Sequence, residues 1–315
     1  MKEGNAVSNQ PLLSLCIPTN GVLEWVKPVL ESIYCQNVDK ALFEVIVTDN
    51  GESKTFQQFM ESQQIIYDNL HYRKTNAQGF LNQIESFRDS NGVFIKFVNH
   101  RMLLKQGVIE RLVNFVRENM QTKPITYFLN GSLPLPEKNN YETFDDFVRA
   151  LSYYSSWSAG VSLWKEDFDR ISKNISYNKL FPHTTILFFP YEHRRYYIDN
   201  RIIMESLPED HPKGNYNLFY AFAVEYPAIL CDLYRNEYIT IDTFFKIRDE
   251  LLSFLASLYI DYFILKRKCS YDLSGMSQSI MFYYSLFSFY CRVAKVFLYR
   301  AKGKLLRKKF KIFCF

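Results

Sequence analysis

An α/β fold with a mostly parallel sheet is what this sequence predicts, and three observations predict it. Short apolar or β-branched runs alternate with amphipathic stretches of helical spacing over the first hundred or so residues. Three of these runs stop at polar clusters: Pro18-Thr19-Asn20, Asp49-Asn50 and Asn99-His100-Arg101. From about residue 242 the alternation gives way to apolar helical runs.

Taken in order, residues 12–18 (LLSLCIP) make a buried-strand run ended by proline. In 22–36, Val22, Val26, Val29, Leu30 and Ile33 share one helical face. Residues 43–48 (FEVIVT) give a second strand, closed by the turn signal Asp49-Asn50-Gly51. A helix starts at 56–60, residues 70–74 make a third short strand, and 80–89 read as helix after 76–79. Gly92 precedes a fourth strand, 93–98 (VFIKFV), and 103–118 is helical. Residues 125–130 (ITYFLN) form another strand before a proline-marked loop, and a helix over 144–154 leads into 157–164 (WSAGVSLW). Ligands of such sheets sit outside the carboxyl ends of the strands, so the three polar clusters belong to one rim. Apolar runs at 251–260, 262–265 and 280–290 set residues 241–315 apart as a helical region, leaving 1–240 as the α/β domain.

The composition is that of a folding chain, with 48% hydrophobic and 23% charged residues among 315. Aromatic residues reach 17%, from 28 Phe and 23 Tyr. The net charge of +5 is unevenly distributed: nine Lys or Arg lie in the last 24 residues, and no Asp or Glu follows Asp272. Residues 1–291 hold 29 basic against 33 acidic groups, a net of −4. That excludes a broadly basic, nucleic-acid-binding surface. Six cysteines (16, 35, 231, 269, 291, 314) stand singly, the pattern of reduced thiols in a cytosolic protein. No secretory signal is visible near Met1, so the acceptor triplets at Asn130 and Asn174 read as chance matches. Residues 273–291 are charge-free but too polar for a spanning helix, and fit lying on a membrane better than crossing one.

The segments 14–20 (SLCIPTN), 30–33 (LESI) with Gln36, and 44–50 (EVIVTDN) together resemble the opening of the family 2 glycosyltransferases. Residues 76–82, the helix after them and the 92–97 strand continue that family's order; the resemblance is close over about 12–110 and loose over 125–200. It implies a GT-A fold, a Rossmann-like nucleotide-sugar-binding domain, with a UDP-, dTDP- or GDP-sugar as donor. By the same resemblance, Pro18 and Thr19 border the nucleotide, with Asn20 beside them. Asp49 accepts from the base or ribose, alongside Asn50, with Asn76 further along. Asp-Asn-Gly is also turn chemistry whatever the function, and Asn82 also suits a brace beneath the pocket.

In that family the strand matching 94–98 ends in Asp-x-Asp, which holds a divalent metal on the donor pyrophosphate. Here the position reads Asn99-His100-Arg101-Met102. An arginine supplies a permanent, two-pronged positive charge to phosphate. Two readings follow: Arg101, with His100, takes the place of the metal; or the pocket is degenerate and Arg101 pairs with a nearby acid.

Inverting transfer, the family's usual outcome, needs a general base for the acceptor hydroxyl. The residues in the matching region are His183, Asp167 and Glu192. His183 follows a proline at a helix start and has an ordinary pKa near neutrality, though an isolated histidine is as well read as a structural one. Trp157 and Trp164 suit a stacking floor for an acceptor sugar, or the core. In 292–302, Val293, Ala294, Phe297, Leu298 and Ala301 share a face, with Arg292, Lys295 and Lys302 roughly opposite. The basic cluster 304–311 follows. Apolar anchoring beside a polybasic patch is a recipe for anionic membrane, so 280–315 is expected on such a surface; a solvated tail, a nucleic-acid arm and a helix pairing with a partner protein are the other readings.

The expectation is then a cytoplasmic enzyme, peripheral on the inner face of the cell membrane. It adds a sugar from a nucleotide donor to a lipid-linked glycan in capsule or O-antigen assembly. The alternative is a non-catalytic, membrane-bound partner of an active transferase.

Overall fold

The apolar runs of the first hundred residues become the main sheet of a computed structural model that describes residues 10–171, 175–189, 194–208 and 214–312, the last ten by their backbone alone. β1 (Leu13–Thr19) is followed by α1 (Leu23–Tyr34), which buries Val26, Val29, Leu30 and Ile33. Fully burying such a side chain is worth about 1.5–3 kcal/mol, so this stripe fixes the face that α1 presents to the core. β2 (Phe43–Asp49) is buried along its whole length, as a central parallel strand must be. α2 (Lys54–Ile66) is capped by Ser53, whose hydroxyl accepts from the Phe56 amide at 3.2 Å. β3 (Leu70–Lys74), α3 (Asn82–Arg88) and β4 (Phe94–Phe97) complete the series.

The expected helix over 103–118 is divided. Residues 102–104 form β5 (Met102–Leu104), and Gly107, at φ 77°, turns the chain into α4 (Val108–Asn119). β6 (Ile125–Phe128) and β7 (Lys138–Tyr141) follow, then α5 (Phe144–Leu151), which gives way to a 3-10 stretch at Ser152, itself at φ 51°. After them come β8 (Ser162–Trp164), α6 (Lys165–Ile171), α7 (Pro182–Leu187), β9 (Tyr196–Asp199) and β10 (Met204–Ser206).

The main sheet runs β3-β2-β1-β4-β8, with the first four strands parallel and β8 antiparallel to β4. β9 lies between β6 and β7, and β10 pairs antiparallel with β5. This is the mixed α/β fold with a mostly parallel sheet that the alternation of runs predicts.

The chain forms two compact units. One runs to Phe147 and resumes over Tyr154–Pro208; the other comprises Val148–Tyr153 and the chain beyond residue 208. The expected division at 240/241 falls inside the second unit. That unit is helical: α8 (Leu218–Tyr220), α9 (Tyr226–Arg235), α10 (Ile241–Tyr259), α11 (Met276–Met281) and α12 (Leu286–Ile312), with π-helical turns at Ala221–Glu225 and Ile260–Ile264. Among the described residues no helix is long and apolar enough to cross a membrane.

Candidate functional site

The last residues of three parallel strands fall in one row. The register pairs Thr19 with Asp49 and Asp49 with Lys74. On the other side of β1, His100 Nδ1 lies 3.0 Å from Thr19 Oγ1. The rim therefore reads Lys74, Asp49, Thr19, His100 across the carboxyl ends of β3, β2, β1 and β4, where an open α/β sheet binds its ligands.

Asp49 is fully buried and organises its end of the row. Oδ1 accepts from the Gly51 amide at 2.7 Å; Oδ2 accepts from the Tyr72 hydroxyl at 3.0 Å and from Lys74 Nζ at 3.2 Å. Lys74 also donates to the Gly51 carbonyl. Burial, and then the Asp49 charge, push the Tyr72 phenol well above its ordinary value, which keeps it a donor. The expected turn chemistry of Asp-Asn-Gly is present, in the bond from the Gly51 amide.

Two loops cross back to back here. The Asn50 amide donates to the Thr19 carbonyl at 3.1 Å, and a Cβ on Gly51 would stand 1.9 Å from the Asn20 carbonyl oxygen. Asn50 Nδ2 donates to the Ala77 and Gly79 carbonyls at 2.9 and 3.2 Å, which ties in the loop carrying exposed Asn76. Beneath them Asn82, buried on α3, donates to the Thr19 and Thr48 carbonyls at 3.1 and 2.8 Å. Asn82 is thus the brace its position suggests. Pro18 is half-buried and Asn20 exposed beside it.

At the other end, Asn99 Oδ1 accepts from the Arg101 amide at 3.0 Å, which closes the turn from β4 into β5. The Arg101 guanidinium lies 4.3 Å from the centre of the Trp25 ring, and the His100 ring lies 5.0 Å from it. Burial and the neighbouring Arg101 lower the His100 pKa to about 4, so the imidazole is neutral near pH 7.

The fold can be matched to solved structures. Residues 1–349 of S. aureus TarS superpose with a TM-score of 0.54 at 16% identity, over 81% of this chain and 75% of that one. Its complex with UDP-GlcNAc gives 0.57 at 16% identity over 81% and 76%, and its complex with UDP gives 0.55 at 16% over 84% and 77%. The fold is that of GT-A-type glycosyltransferases. No protein-family profile matches the chain, and no curated protein does.

GT-A folds commonly hold a divalent metal where β4 ends, and the groups standing there do not fit one. No carboxylate stands there: the Asn99 amide oxygen accepts from the Arg101 backbone, His100 has only Nε2 left to offer because Nδ1 is engaged by Thr19, and the third side chain is a cation. Among the described residues no group of three or more His, Cys, Asp or Glu could hold a metal ion. The cation there, Arg101, is seated on the Trp25 ring.

The antiparallel register of β8 sorts the acceptor-side residues. Ser162 pairs with Lys96 and Trp164 with Phe94, while the Phe97 amide donates to the Val161 carbonyl at 3.2 Å. Residues 157–160 therefore lie toward the rim, and Trp164 and α6 toward the opposite end of the sheet. Half-buried Trp157 stays on the rim side, its carbonyl accepting from the Tyr127 hydroxyl at 2.7 Å. Trp164 does not match an acceptor floor. It is 1% exposed, packs edge-on against Phe94 and donates from Nε1 to the Pro124 carbonyl at 3.0 Å.

The three expected bases fare differently. His183 is 4% exposed; Nε2 lies 2.8 Å from the Ser156 carbonyl oxygen and Nδ1 3.2 Å from Gln83 Oε1. Burial, partly opposed by the Ser156 bond, lowers its pKa to about 4. The ring ties α7 to α3 and, buried with both nitrogens against protein oxygens, is not open to an acceptor hydroxyl. Asp167 lies at the far end of the sheet, 1% exposed, with Oδ1 bonded by Arg194 at 2.9 Å. Burial raises its pKa and Arg194 opposes the shift. Glu192 lies outside the described residues.

Three residues near the rim were not singled out from the sequence: Lys74, Trp25 and Lys96. Trp25 left a readable signal, an aromatic in the first turn of α1 standing off the apolar stripe. Lys96 is fully buried within β4. Its Nζ donates to the Phe97 carbonyl at 2.9 Å and to the Ala159 carbonyl, and lies 5.1 Å from the centre of the Phe128 ring. It staples the 158–160 turn to the sheet, and burial lowers its pKa to about 7.

Proposed function

We propose that this chain is a glycosyltransferase that moves a sugar from a nucleotide-sugar donor to an acceptor hydroxyl. The observation that carries the reading is the rim row Lys74–Asp49–Thr19–His100, ending in the Arg101–Trp25 stack, on a GT-A-type sheet. The nucleoside sits against Pro18, Thr19 and Asp49, with Asn20, Asn50 and Asn76 around it. A base that hydrogen-bonds Asp49 takes over the place of Lys74.

In the transfer step the acceptor oxygen attacks the anomeric carbon. The bond from that carbon to the phosphate oxygen breaks, and the electron pair leaves with the nucleoside diphosphate. The leaving group gains negative charge, which must be stabilised where it develops. Arg101 is the group we assign to that task, with Asn99 and neutral His100 holding its loop. The acceptor proton passes to a general base, and the surroundings of His183 and Asp167 leave Glu192 as the residue to test. Trp157 is the aromatic surface available to an acceptor sugar.

The acceptor we propose is a lipid-linked glycan in surface-polysaccharide assembly of capsule or O-antigen type, used with inversion. The chain attaches peripherally to the inner face of the cell membrane through 280–315. Exposed Phe282, Phe287, Leu298 and Tyr299 and the basic sequence beyond residue 303 support attachment.

The non-catalytic alternative is favoured by one observation: neither His183 nor Asp167 is placed as a base. Titration calorimetry with a panel of nucleotide sugars, UDP-GlcNAc first, separates the readings together with a hydrolysis assay. Binding with slow donor hydrolysis supports the enzyme. Binding to no donor overturns it in favour of a scaffold.

A further inference from the structure

The groove between α10 and α12 gathers unused chemistry within the second unit. It has a volume of about 590 Å3 and is lined by Phe245, Arg248, Tyr284, Phe287, Arg292 and Lys295, among others. Arg292 is already neutralised there, since its Nη1 donates to Asp249 Oδ2 at 3.0 Å. Arg248 makes no ion pair among the described residues: Nη2 donates to the Tyr283 carbonyl at 2.6 Å, and the guanidinium lies 5.2 Å from the Tyr284 ring centre and 5.9 Å from that of Phe245. Lys295 is exposed and makes no ion pair among the described residues. With Asp249 taken up by Arg292, Arg248 and Lys295 bring two positive charges to the groove that no ion pair among the described residues offsets.

The surroundings are apolar and open. Phe287 is 80% exposed, Phe282 67% and Leu298 60%, while α12 turns Phe289 and Val293 inward. Helical spacing sets Phe287, Ala294 and Leu298 along one stripe, with Lys295 and Lys302 at its edge. A free phosphate would use the cations and leave the aromatics in water. An apolar protein helix would cover the aromatics and bury two unpaired cations, which is costly. An anionic lipid satisfies both, and the groove's acid, Asp249, is neutralised by Arg292.

We infer that this groove seats the phosphate headgroup of an anionic phospholipid, held by Arg248 and Lys295, while Phe282, Phe287 and Leu298 enter the acyl boundary. The inference rests on the peripheral attachment proposed above and names its lipid contact. Cosedimentation of the full chain with phosphatidylcholine vesicles, with and without phosphatidylglycerol, tests it. The wild type is expected to bind the phosphatidylglycerol vesicles selectively. Lys295→Gln, an exposed change that breaks no bond, should weaken binding about fivefold, the factor that about 1 kcal/mol per cation near an anionic surface gives. Arg248→Gln with Lys295→Gln should weaken it further, with UDP-GlcNAc binding unchanged in both variants.

Variants that bind as well as the wild type overturn the groove while leaving attachment through the basic tail. Wild type that ignores both vesicles overturns groove and attachment together. Displacement by soluble glycerol phosphate would reassign the groove to a free phosphate ligand.

Discussion

Arg101 stacks on Trp25, its guanidinium 4.3 Å from the centre of the indole ring. The two come from different parts of the rim, Trp25 from the first turn of α1 and Arg101 from the turn after β4. The ring fixes the plane of the guanidinium. Cation–π contacts of this kind are worth about 0.5–2 kcal/mol. Trp25→Ala should therefore weaken nucleotide-sugar binding by about twofold to thirtyfold on that scale, and Trp25→Phe by less. Calorimetry with UDP-GlcNAc reads the difference; equal affinity for Trp25→Ala would remove the platform from the account.

Gly51 is held by the crossing of two loops, with room for no Cβ against the Asn20 carbonyl. Gly51→Ala should separate the Thr19 and Asp49 turns, cost about 1–3 kcal/mol as overpacking does and abolish donor binding. Gly79→Ala is the control: its Cβ meets nothing within 4 Å, and although its φ of 51° adds local strain, the crossing stays intact. Thermal unfolding and donor titration of both variants check this.

His183 is buried neutral, with a folded pKa of about 4 against an ordinary value of about 6.5. As pH falls, the unfolded chain takes up the proton first. Stability from this residue is thus complete above about pH 6.5 and is lost progressively down to about pH 4. Urea midpoints of the wild type and His183→Gln at pH 7 and 5 isolate the effect. The wild type should lose about 2 kcal/mol more than the variant over that interval.

Lys96 works in the alkaline direction. Its folded pKa is about 7 and its unfolded one about 10.4, so the unfolded chain holds the extra proton between those values. Stability should rise with pH above 7, by about 1–2 kcal/mol between pH 7 and 8.5 relative to Lys96→Met. A variant that follows the wild-type slope would assign the pH dependence to other groups.

Much of the rim was legible in the sequence because it depends on local order. Thr19, Asp49 and Asn99 each follow an apolar run directly, and strand polarity alone puts them at one rim. Lys74 and Trp25 were not, because their partners are set by register and helix rotation, which run-by-run reading does not fix. β10 went unseen for a similar reason: three residues, paired only with β5 a hundred residues earlier, carry little local signal. The same pairing turned 102–104 from the start of a helix into a strand. On the acceptor side, a proline-led histidine and two tryptophans suggested chemistry. Whether such a group faces water or core is decided by the antiparallel return of β8, which the sequence does not announce.

The claim that Arg101 takes the role of a metal is tested most directly by titrating UDP-GlcNAc into wild-type protein and Arg101→Gln in excess EDTA, with donor hydrolysis followed in the same buffers. The wild type should bind and turn over in chelator, and Arg101→Gln should lose affinity at least tenfold, in line with about 1.5–3 kcal/mol for a charged hydrogen bond. Loss of wild-type binding and hydrolysis in EDTA, restored by manganese, would contradict it.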